Sequence, residues 1–255
     1  MRIENKAPDL SIVIPTKNEE VRLPRTLGCL KKTLKQGFLR TEIILSDDAS
    51  DDRTKDVWQQ FTPALDICFL EGDDSKGVGS AIRRGVACAK GNNILICDAD
   101  GAVPFNEIDK LLGTLDQGFD IVAGSRCIEG SKIVVAQPWH RQVMGRLWRL
   151  LVGFIVPTGV KDTQCGFKLY SRATAQRTFA RTRSQSFGIR VEALWVAKMA
   201  GSKIKEVPVR WEDINGSKIK IWQDSLQMLA DLLLLRWRQH PMSDQMRTRK
   251  ISNAS

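Results

Sequence analysis

The sequence predicts an α/β protein with a mostly parallel central sheet and helices on both faces. Three observations carry this prediction. Short apolar runs alternate with segments of helical spacing through the first half of the chain, polar residues cluster where each run ends, and the composition is that of a folded protein. Hydrophobic and charged residues make up 42% and 27% of the 255 residues, so a sizeable core is expected and disorder is not.

The first half of the chain supplies five predicted strands and the helices between them. The strands are expected at 11–14, 43–45, 67–70, 94–97 and 121–123. Apolar residues recur at helical spacing within 23–34, 57–61, 78–89 and 108–115. Strands that alternate with helices in this way favour parallel pairing, because each return to the same sheet edge needs a crossover helix.

The second half of the chain differs in pattern. After Arg126 come a basic, tryptophan-containing helical segment at 137–156, the polar turn KDTQCGF, further helices and EVPVRWEDINGSKIKIW. We expect one domain over 1–240, with a first half at 9–125, a second half at 126–240 and a loose polar tail at 241–255. No apolar run reaches the roughly 18 to 20 residues that cross a bilayer, so any membrane contact is expected at its surface.

The net charge indicates what kind of partner the protein binds, and the cysteine content indicates its redox compartment. The net charge of +10 predicts an anionic partner, which can be nucleic acid, a membrane surface or a phosphorylated substrate. No helix-turn-helix, zinc finger or RNP motif is present, so a nucleic-acid-binding module is the remote alternative. Six cysteines without a C-x-x-C pair predict free thiols in a reducing compartment.

Asp98 and Asp100 follow the fourth predicted strand and are the first candidate site. Side chains two positions apart in extended structure point the same way, so both carboxylates can reach one point. Such convergence suits Mg²⁺ or Mn²⁺ carried on a diphosphate. A solvated surface turn is the alternative for an isolated pair of this kind. Polar residues at all five strand ends favour the site, because ligands of open parallel sheets bind there.

Other polar residues lie near the same edge. Of Asp47 and Asp48, one is expected to accept a hydrogen bond from a nucleobase and the other to cap a helix that begins near Asp51. The segment KGVGSAIRRG either presents free amides to an anion or simply starts a helix. Arg126 and Arg141 are candidates for clamping phosphate, with solvated charges as the alternative.

Seven motifs together point to one family. They are SIVIPTKNEEVRLPRTL, ILSDDASDDRT, KGVGSAIRRGVACAKG, ICDADGA, IVAGSR, DTQCGFKLYSR and EVPVRWEDINGSKI. In order and spacing the chain resembles the inverting family 2 glycosyltransferases over residues 9–238, and within them the polyprenyl-phosphate branch. DADGA followed by DTQCGFKL is similar to the dolichyl-phosphate β-glucosyltransferases, whereas mannosyl members usually continue as DADLQHPP.

The resemblance implies a GT-A fold, a nucleotide-diphosphate sugar donor that binds the 9–125 half, an acceptor that binds the 126–240 half, and Mg²⁺ or Mn²⁺. Carried onto this sequence, the resemblance assigns Asp98 and Asp100 to the metal and the diphosphate, and Arg126 and Arg141 to the donor and acceptor phosphates. The residues that it assigns to the nucleotide are Pro15, Asn18, Glu19, Asp47, Asp48, Lys76 and Gly77. It assigns Gln164 and Cys165 to the sugar pocket, and Glu192, Ser217 and Lys218 to the acceptor side and a lid.

Two positions depart from the family pattern. Lys17 stands where Tyr or Phe is common, and Arg190 stands where glucosyl members often have Asp. The expected reaction is inverting transfer of glucose from UDP-glucose to a polyprenyl or dolichyl phosphate. Another sugar, such as mannose or an N-acetylhexosamine, or a soluble or polysaccharide acceptor, is the alternative.

The acceptor implied by the resemblance is a membrane lipid. GRLWRLLVGFIV and IWQDSLQMLADLLLLRWR mix leucine and tryptophan with arginine, as interfacial helices do. Packing on the core or in a homodimer is the alternative for both. The expected location is the cytoplasm, peripheral on the cytoplasmic face of the membrane, and nucleic acid is not an expected partner.

Overall fold

The computed structural model describes residues 7–35, 37, 39–72, 74, 76–135, 139–214 and 221–238, with backbone alone at 140, 141 and 221–226. The strands are β1 (Leu10–Thr16), β2 (Thr41–Asp47), β3 (Asp66–Leu70), β4 (Asn93–Ile96), β5 (Ile121–Ser125), β6 (Lys132–Val135), β7 (Lys168–Ser171), β8 (Ile204–Pro208) and β9 (Arg210–Glu212). The helices are α1 (Leu23–Leu34), α2 (Thr54–Val57), α3 (Val78–Cys88), α4 (Ile108–Leu115), α5 (Trp139–Ile155), α6 (Arg172–Phe179), α7 (Ile189–Met199) and α8 (Ile221–Arg238). The predicted tail at 241–255 lies outside the described residues.

The main sheet has seven strands in the order β3-β2-β1-β4-β7-β5-β8. Every pairing in it is parallel except those of β7, which runs antiparallel between β4 and β5. The mostly parallel sheet and all five predicted strands are therefore confirmed. Strand β7 was not predicted, because Leu169 and Tyr170 form too short an apolar run behind the turn KDTQCGF.

Helices cover both faces of the sheet, as predicted. Alternate residues of β1 show how this arises: Ile12 and Ile14 are buried with α1 and α4, whereas Val13 is buried with α3, α6 and α7. Because successive strand residues point to opposite faces, one short apolar strand contributes to two cores. The sheet is thus held rigidly from both sides, and its carboxyl edge is a firm base for a site.

Two predicted helices have different bounds in the structure. The helix expected near Asp51 begins at Thr54, spans four residues and continues as a 3₁₀ turn at Trp58–Phe61. The helix expected over 137–156 is α5, which begins at Trp139. None of the helices in the described part of the chain combines the length and hydropathy that a bilayer crossing requires.

A third apolar cluster joins the second half of the chain. Val152 and Val156, in and just after α5, pack with Met228 and Leu232 of α8 and with Val191 of α7. Helix α8 therefore packs against α5 and α7. A small second sheet pairs β6 with β9.

Candidate active site

A cavity of about 560 Å³ opens at the carboxyl ends of β1, β2 and β4. The predicted residues that line it are Pro15, Glu19, Asp48, Lys76, Gly77, Asp98 and Asp100. Its wall also includes Lys17, Arg22, Gln185, Ser186, Phe187 and Gln227. The structure thus brings together residues from both halves of the chain at the edge where open parallel sheets bind ligands.

Asp98 and Asp100 both face this cavity. Burial, and then the neighbouring charge of Asp98, raise the pKa of Asp100, while the amide of Ala102 donates to its Oδ1 over 3.0 Å. Asp98 is one-third exposed. Two carboxylates in one partly desolvated place repel each other, and a cation between them relieves that repulsion.

A divalent cation fits this pair. No group of three or more histidine, cysteine, aspartate or glutamate side chains is gathered as for a dedicated metal site within the described residues. Two carboxylates beside an open cavity leave coordination positions for substrate phosphate, which is how Mg²⁺ is commonly held. Asp98 and Asp100 are the residues that would hold it.

Arg190, the residue that departs from the family pattern, reaches the acidic pair. It lies at the start of α7, and its Nη2 donates to Oδ1 of Asp98. Its Nη1 donates to the carbonyl of Gln164 over 2.9 Å, and its guanidinium stacks 5.0 Å from the ring centre of Phe187. The positive charge at the site is therefore anchored rather than solvated.

The segment 162–166 forms the support below Asp98. Position 166 is a glycine because the Cβ of any other residue would overlap Oδ2 of Asp98. Lys168 is buried and donates to the carbonyls of Thr163, over 3.1 Å, and Cys165. Burial lowers the pKa of Lys168 to about 8. These contacts give a structural reason for the glycine at position 166 and the lysine at position 168.

Asp47 and Asp48 have separate roles. Asp47 is fully buried, where it accepts hydrogen bonds from Thr16 Oγ1 over 3.0 Å and from the Ser50 amide over 2.7 Å. Asp47 therefore shapes the turn and does not border the cavity. Asp48 lines the cavity, 3.6 Å from the ammonium of Lys17.

Neither acid caps the following helix. Asp52 instead accepts from the amide of Thr54 over 2.9 Å, at the start of α2. The prediction of a capping role for Asp47 or Asp48 was therefore wrong. The reason is that α2 begins three residues beyond Asp51, out of reach of the strand end.

The glycine segment KGVGS starts α3 and offers no open anion pocket at its first amides. The amides of Lys76 and Gly77 both donate to Oδ1 of Asp48, over 2.8 and 2.9 Å. Gly77 has φ of +88°, and a Cβ there would lie 2.3 Å from the carbonyl of Gln185. The start of a helix at this segment is therefore confirmed, and anion binding by it stays a prediction.

Residues 18–22 brace the cavity at the end of β1. The side chain of Asn18 accepts from the amide of Asp51 over 2.9 Å, so it ties β1 to the turn after β2. Glu19 is buried and pairs with Arg22, which also lies near Asp98 and Asp100. Asn18 thus acts on the wall, whereas Glu19 and Arg22 are part of it.

Glu192 supports the wall from behind. Its buried carboxylate accepts from the amides of Arg183, over 3.0 Å, and Ser184, over 2.8 Å. Asp231 of α8 accepts from the hydroxyls of Ser184 and Ser186, over 2.6 Å each. Both acids therefore position the 184–187 segment. The oxygens of Glu192 are engaged by backbone amides in this arrangement and are not directed at the cavity.

Arg126 is held by Asp162 in a closed ion pair. Its Nε and Nη2 donate to the two carboxylate oxygens over 2.7 and 2.9 Å, and its amide donates over 2.9 Å. Burial alone would raise the pKa of Asp162, but these bonds and the arginine charge outweigh burial and lower it below its usual range. The guanidinium also lies 5.4 Å from the ring centre of Trp211, and Arg126 is not among the residues that line the cavity.

Gln164 and Cys165 lie on the loop above β7. Cys165 is buried, and burial raises the pKa of its thiol. Gln164 presents its carbonyl to Arg190 and its amide nitrogen to the sulfur of Met228 over 3.3 Å. Arg141 is on the first turn of α5, with its side chain outside the described residues, and the predicted lid residues Ser217 and Lys218 also lie outside them.

Several residues of the site were not predicted. For Arg22 a signal existed in its spacing of three from Glu19, with which it pairs in the turn before α1. The wall segment 184–187 and the brace Asp231 come together only in the tertiary fold. Asp162 was hidden in a segment that we interpreted as a polar turn.

A sequence profile described as Glycosyl transferase family 2 matches residues 11–179 of the chain. The dolichyl-phosphate β-glucosyltransferase of Dictyostelium discoideum is 34% identical in an alignment 256 positions long that covers 92% of this chain and 77% of that protein. The Mus musculus protein of the same name is 35% identical in an alignment 255 positions long, with the same shares of each chain.

Solved structures with a similar fold include glucosyl-3-phosphoglycerate synthase from Mycobacterium tuberculosis. In complex with Mn²⁺ and UDP-glucose it gives a TM-score of 0.66 at 18% identity and covers 89% of this chain and 79% of that one. In complex with Mg²⁺ and UDP it gives 0.67 at the same identity and shares. These likenesses confirm the predicted GT-A fold.

Proposed function

Because the chain belongs to glycosyl transferase family 2, we propose that it transfers glucose from UDP-glucose to a polyprenyl phosphate, with inversion at the anomeric carbon. The observation that carries the proposal is the cavity at the carboxyl edge of the sheet, with Asp98 and Asp100 on its floor. The relatives named dolichyl-phosphate β-glucosyltransferase support the choice of sugar and acceptor.

The donor diphosphate is proposed to lie between the acidic pair and the wall formed by Lys17 and Lys76. Asp98 and Asp100 would share a Mg²⁺ or Mn²⁺ ion with the diphosphate oxygens, and the ion supplies charge stabilisation for the departing group. Asp48 and Pro15 border the part of the cavity proposed for the nucleoside. The basic side chains of the wall favour an anionic ligand there.

The reaction needs no carboxylate base. The acceptor phosphomonoester is already anionic near neutral pH, so its oxygen can attack the anomeric carbon directly while the bond to the diphosphate breaks. The chain's residues therefore act by alignment and electrostatics. Attack from the face opposite the leaving diphosphate converts an α-linked donor to a β-linked product. Arg141, on the first turn of α5, is the residue we propose for the acceptor phosphate.

The test is transfer of labelled sugar into an organic-extractable lipid. The protein is incubated with Mg²⁺, a short polyprenyl phosphate and UDP-[¹⁴C]glucose, with GDP-mannose and UDP-N-acetylglucosamine as comparison donors. We expect label from UDP-glucose in the organic phase, and its loss on chelation with EDTA. Hydrolysis of the donor without label in the lipid from any of the three would overturn the lipid-phosphate proposal.

We also propose that α5 and α8 dock on an anionic membrane surface, peripheral on the cytoplasmic face. On α5, Leu147, Leu150 and Phe154 form an exposed stripe at helical spacing, and Phe154 is 87% exposed. On α8, Trp237 is 70% exposed, and Leu233 and Leu234 are also exposed. Both helices carry arginines, and the chain's net charge of +10 favours an anionic leaflet.

Vesicle flotation tests this docking. Phe154→Ser and Trp237→Ser are each expected to weaken binding to vesicles that contain phosphatidylglycerol by roughly tenfold, because a large apolar side chain loses its burial. Val21→Ser removes an equally exposed apolar residue from another surface and serves as the control. Unchanged flotation would overturn the proposal, and a dimer that dissociates on Phe154→Ser would assign the surface to a second copy.

A further inference from the structure

The carboxylate of Asp98 has a neighbour at each oxygen. Oδ2 lies over Gly166, in the space that a Cβ would fill, and Oδ1 accepts a charge-assisted hydrogen bond from Arg190. Asp100 differs, because it accepts a hydrogen bond from the neutral amide of Ala102. Of the two carboxylates that face the cavity, Asp98 is therefore the one whose oxygen is engaged by an opposite charge.

Arg190 is fixed in this position by more than Asp98. Its second nitrogen donates to the carbonyl of Gln164, its plane lies against Phe187, and its side chain is only 14% exposed. Arg22, the other arginine near the acidic pair, directs its fork to Glu19 instead. The guanidinium of Arg190 thus occupies a lone-pair direction of Asp98 that a cation would use.

We propose that Arg190 is an internal countercharge that competes with the divalent cation for Asp98. This inference rests on the proposed cation site at Asp98 and Asp100. The pair lowers the affinity of the free protein for a bare cation, because the cation must first displace a charge-assisted hydrogen bond. A cation that arrives with a diphosphate also brings oxygens that offer the released guanidinium a new bidentate partner. The site is thereby tuned to the cation–nucleotide complex over the cation alone.

The experiment measures Mn²⁺ binding without nucleotide, from the electron paramagnetic resonance signal of free aqueous Mn²⁺. Arg190→Gln is expected to bind Mn²⁺ roughly tenfold more tightly than the wild type, because the cation no longer has to displace a charge-assisted hydrogen bond to reach Asp98. Arg190→Lys keeps the charge but cannot bridge Asp98 and Gln164, so its affinity is expected between the two. Arg40→Gln removes the same charge at a distant surface pair and is expected to match the wild type.

The controls separate this inference from the proposed function. Asp98→Asn is expected to lose the measured binding, which identifies the site. A dissociation constant for Arg190→Gln that equals or exceeds the wild-type value overturns the competition, even if sugar transfer remains metal-dependent. If no variant binds Mn²⁺ and transfer also resists EDTA, the cation site itself is refuted. Circular dichroism checks the fold of each variant, and Arg190→Lys carries the test if Arg190→Gln does not fold.

Discussion

Two aspartate–arginine pairs contact the 162–166 segment, and their aspartates differ in burial and in the number of hydrogen bonds that they accept from arginine. Asp162 is fully buried and receives three hydrogen bonds from Arg126. Asp98 is one-third exposed, faces the cavity and receives one from Arg190. The first pair is closed to ligands, whereas the second stands at the place where a cation and a diphosphate are proposed to bind.

Residue type alone therefore does not identify a ligand-binding charge. Arg126 directs the Nε and Nη2 edge of its fork to Asp162 and not to the cavity, and removal of that carboxylate leaves the arginine charge unpaired. A partly exposed pair can exchange its partners at small cost. We therefore expect changes at Asp162 to act on stability and changes at Asp98 to act on activity.

The largest effect is expected for Asp98→Ala. Loss of this carboxylate removes half of the proposed cation site, and sugar transfer is expected to fall by about 1,000-fold, the size seen when a principal electrostatic contact of a transition state is lost. The unfolding midpoint should change by only a few degrees, because Arg190 keeps Gln164 and Phe187 as partners. Initial rates of lipid labelling measure the activity, and a thermal melt measures the stability. Retained activity, or a large fall in the unfolding midpoint, would contradict the prediction that Asp98 acts on activity and not on stability.

The next effect is expected for Asp162→Asn. The substitution leaves Arg126, whose side chain is 23% exposed, without its fully buried carboxylate partner, and we expect the free energy of unfolding to fall by about 3 kcal/mol. Urea unfolding measures this change. A variant as stable as the wild type would show that the Asp162–Arg126 pair does not stabilise the fold.

The pH dependence of stability should follow the same pair. The pKa of Asp162 is lowered in the folded protein, so its contribution is complete above the ordinary aspartate pKa of about 3.9 and is lost as pH falls toward the folded value. The difference in unfolding free energy between wild type and Asp162→Asn is expected to be constant from about pH 5 to 8 and to shrink below about pH 4. A difference that grows as the pH falls would contradict the assignment.

The smallest effect is expected for a third pair, Arg40 with Asp9. Both side chains are substantially exposed and joined over 3.0 Å. Exposed ion pairs contribute about 0 to 1 kcal/mol, so Arg40→Gln should change the free energy of unfolding by less than about 0.5 kcal/mol. Urea unfolding at low and moderate salt measures it, and a loss comparable to that of Asp162→Asn would refute burial as the ordering variable.

The sequence predicted the sheet and the acidic pair because both depend on local patterns. Alternation of apolar runs and helical spacing is enough to place β1 to β5. The shared direction of Asp98 and Asp100 was predicted from the strand period of two, but β4 ends at Ile96 and Asp100 lies in the turn that follows, so the turn brings both carboxylates to the cavity. The same period separates Asp47 from Asp48: Asp47 continues the face of Ile43 and Leu45, so only its neighbour turns to the cavity. That distinction was available from the strand pattern and was missed.

The remaining features depend on contacts between distant parts of the chain. Arg190 is 92 residues from Asp98, and Arg126 is 36 residues from Asp162. Nothing near Arg126 in the sequence shows that its fork is filled, so a buried structural arginine and a phosphate clamp look alike there. Strand β7 was missed for a related reason. It is buried because it pairs with β4 and β5, and its apolar run is too short to predict that burial from the sequence.

The proposed inverting transfer to a lipid phosphate is tested by the configuration of its product. The protein is incubated with UDP-[1-¹³C]glucose, polyprenyl phosphate and Mg²⁺, and the lipid extract is examined by ¹H, ¹³C and ³¹P nuclear magnetic resonance. We expect the labelled carbon in the lipid fraction, coupled to phosphorus and in the β configuration. An α-linked product, or label that remains in the water phase as free glucose, would contradict the proposed transfer.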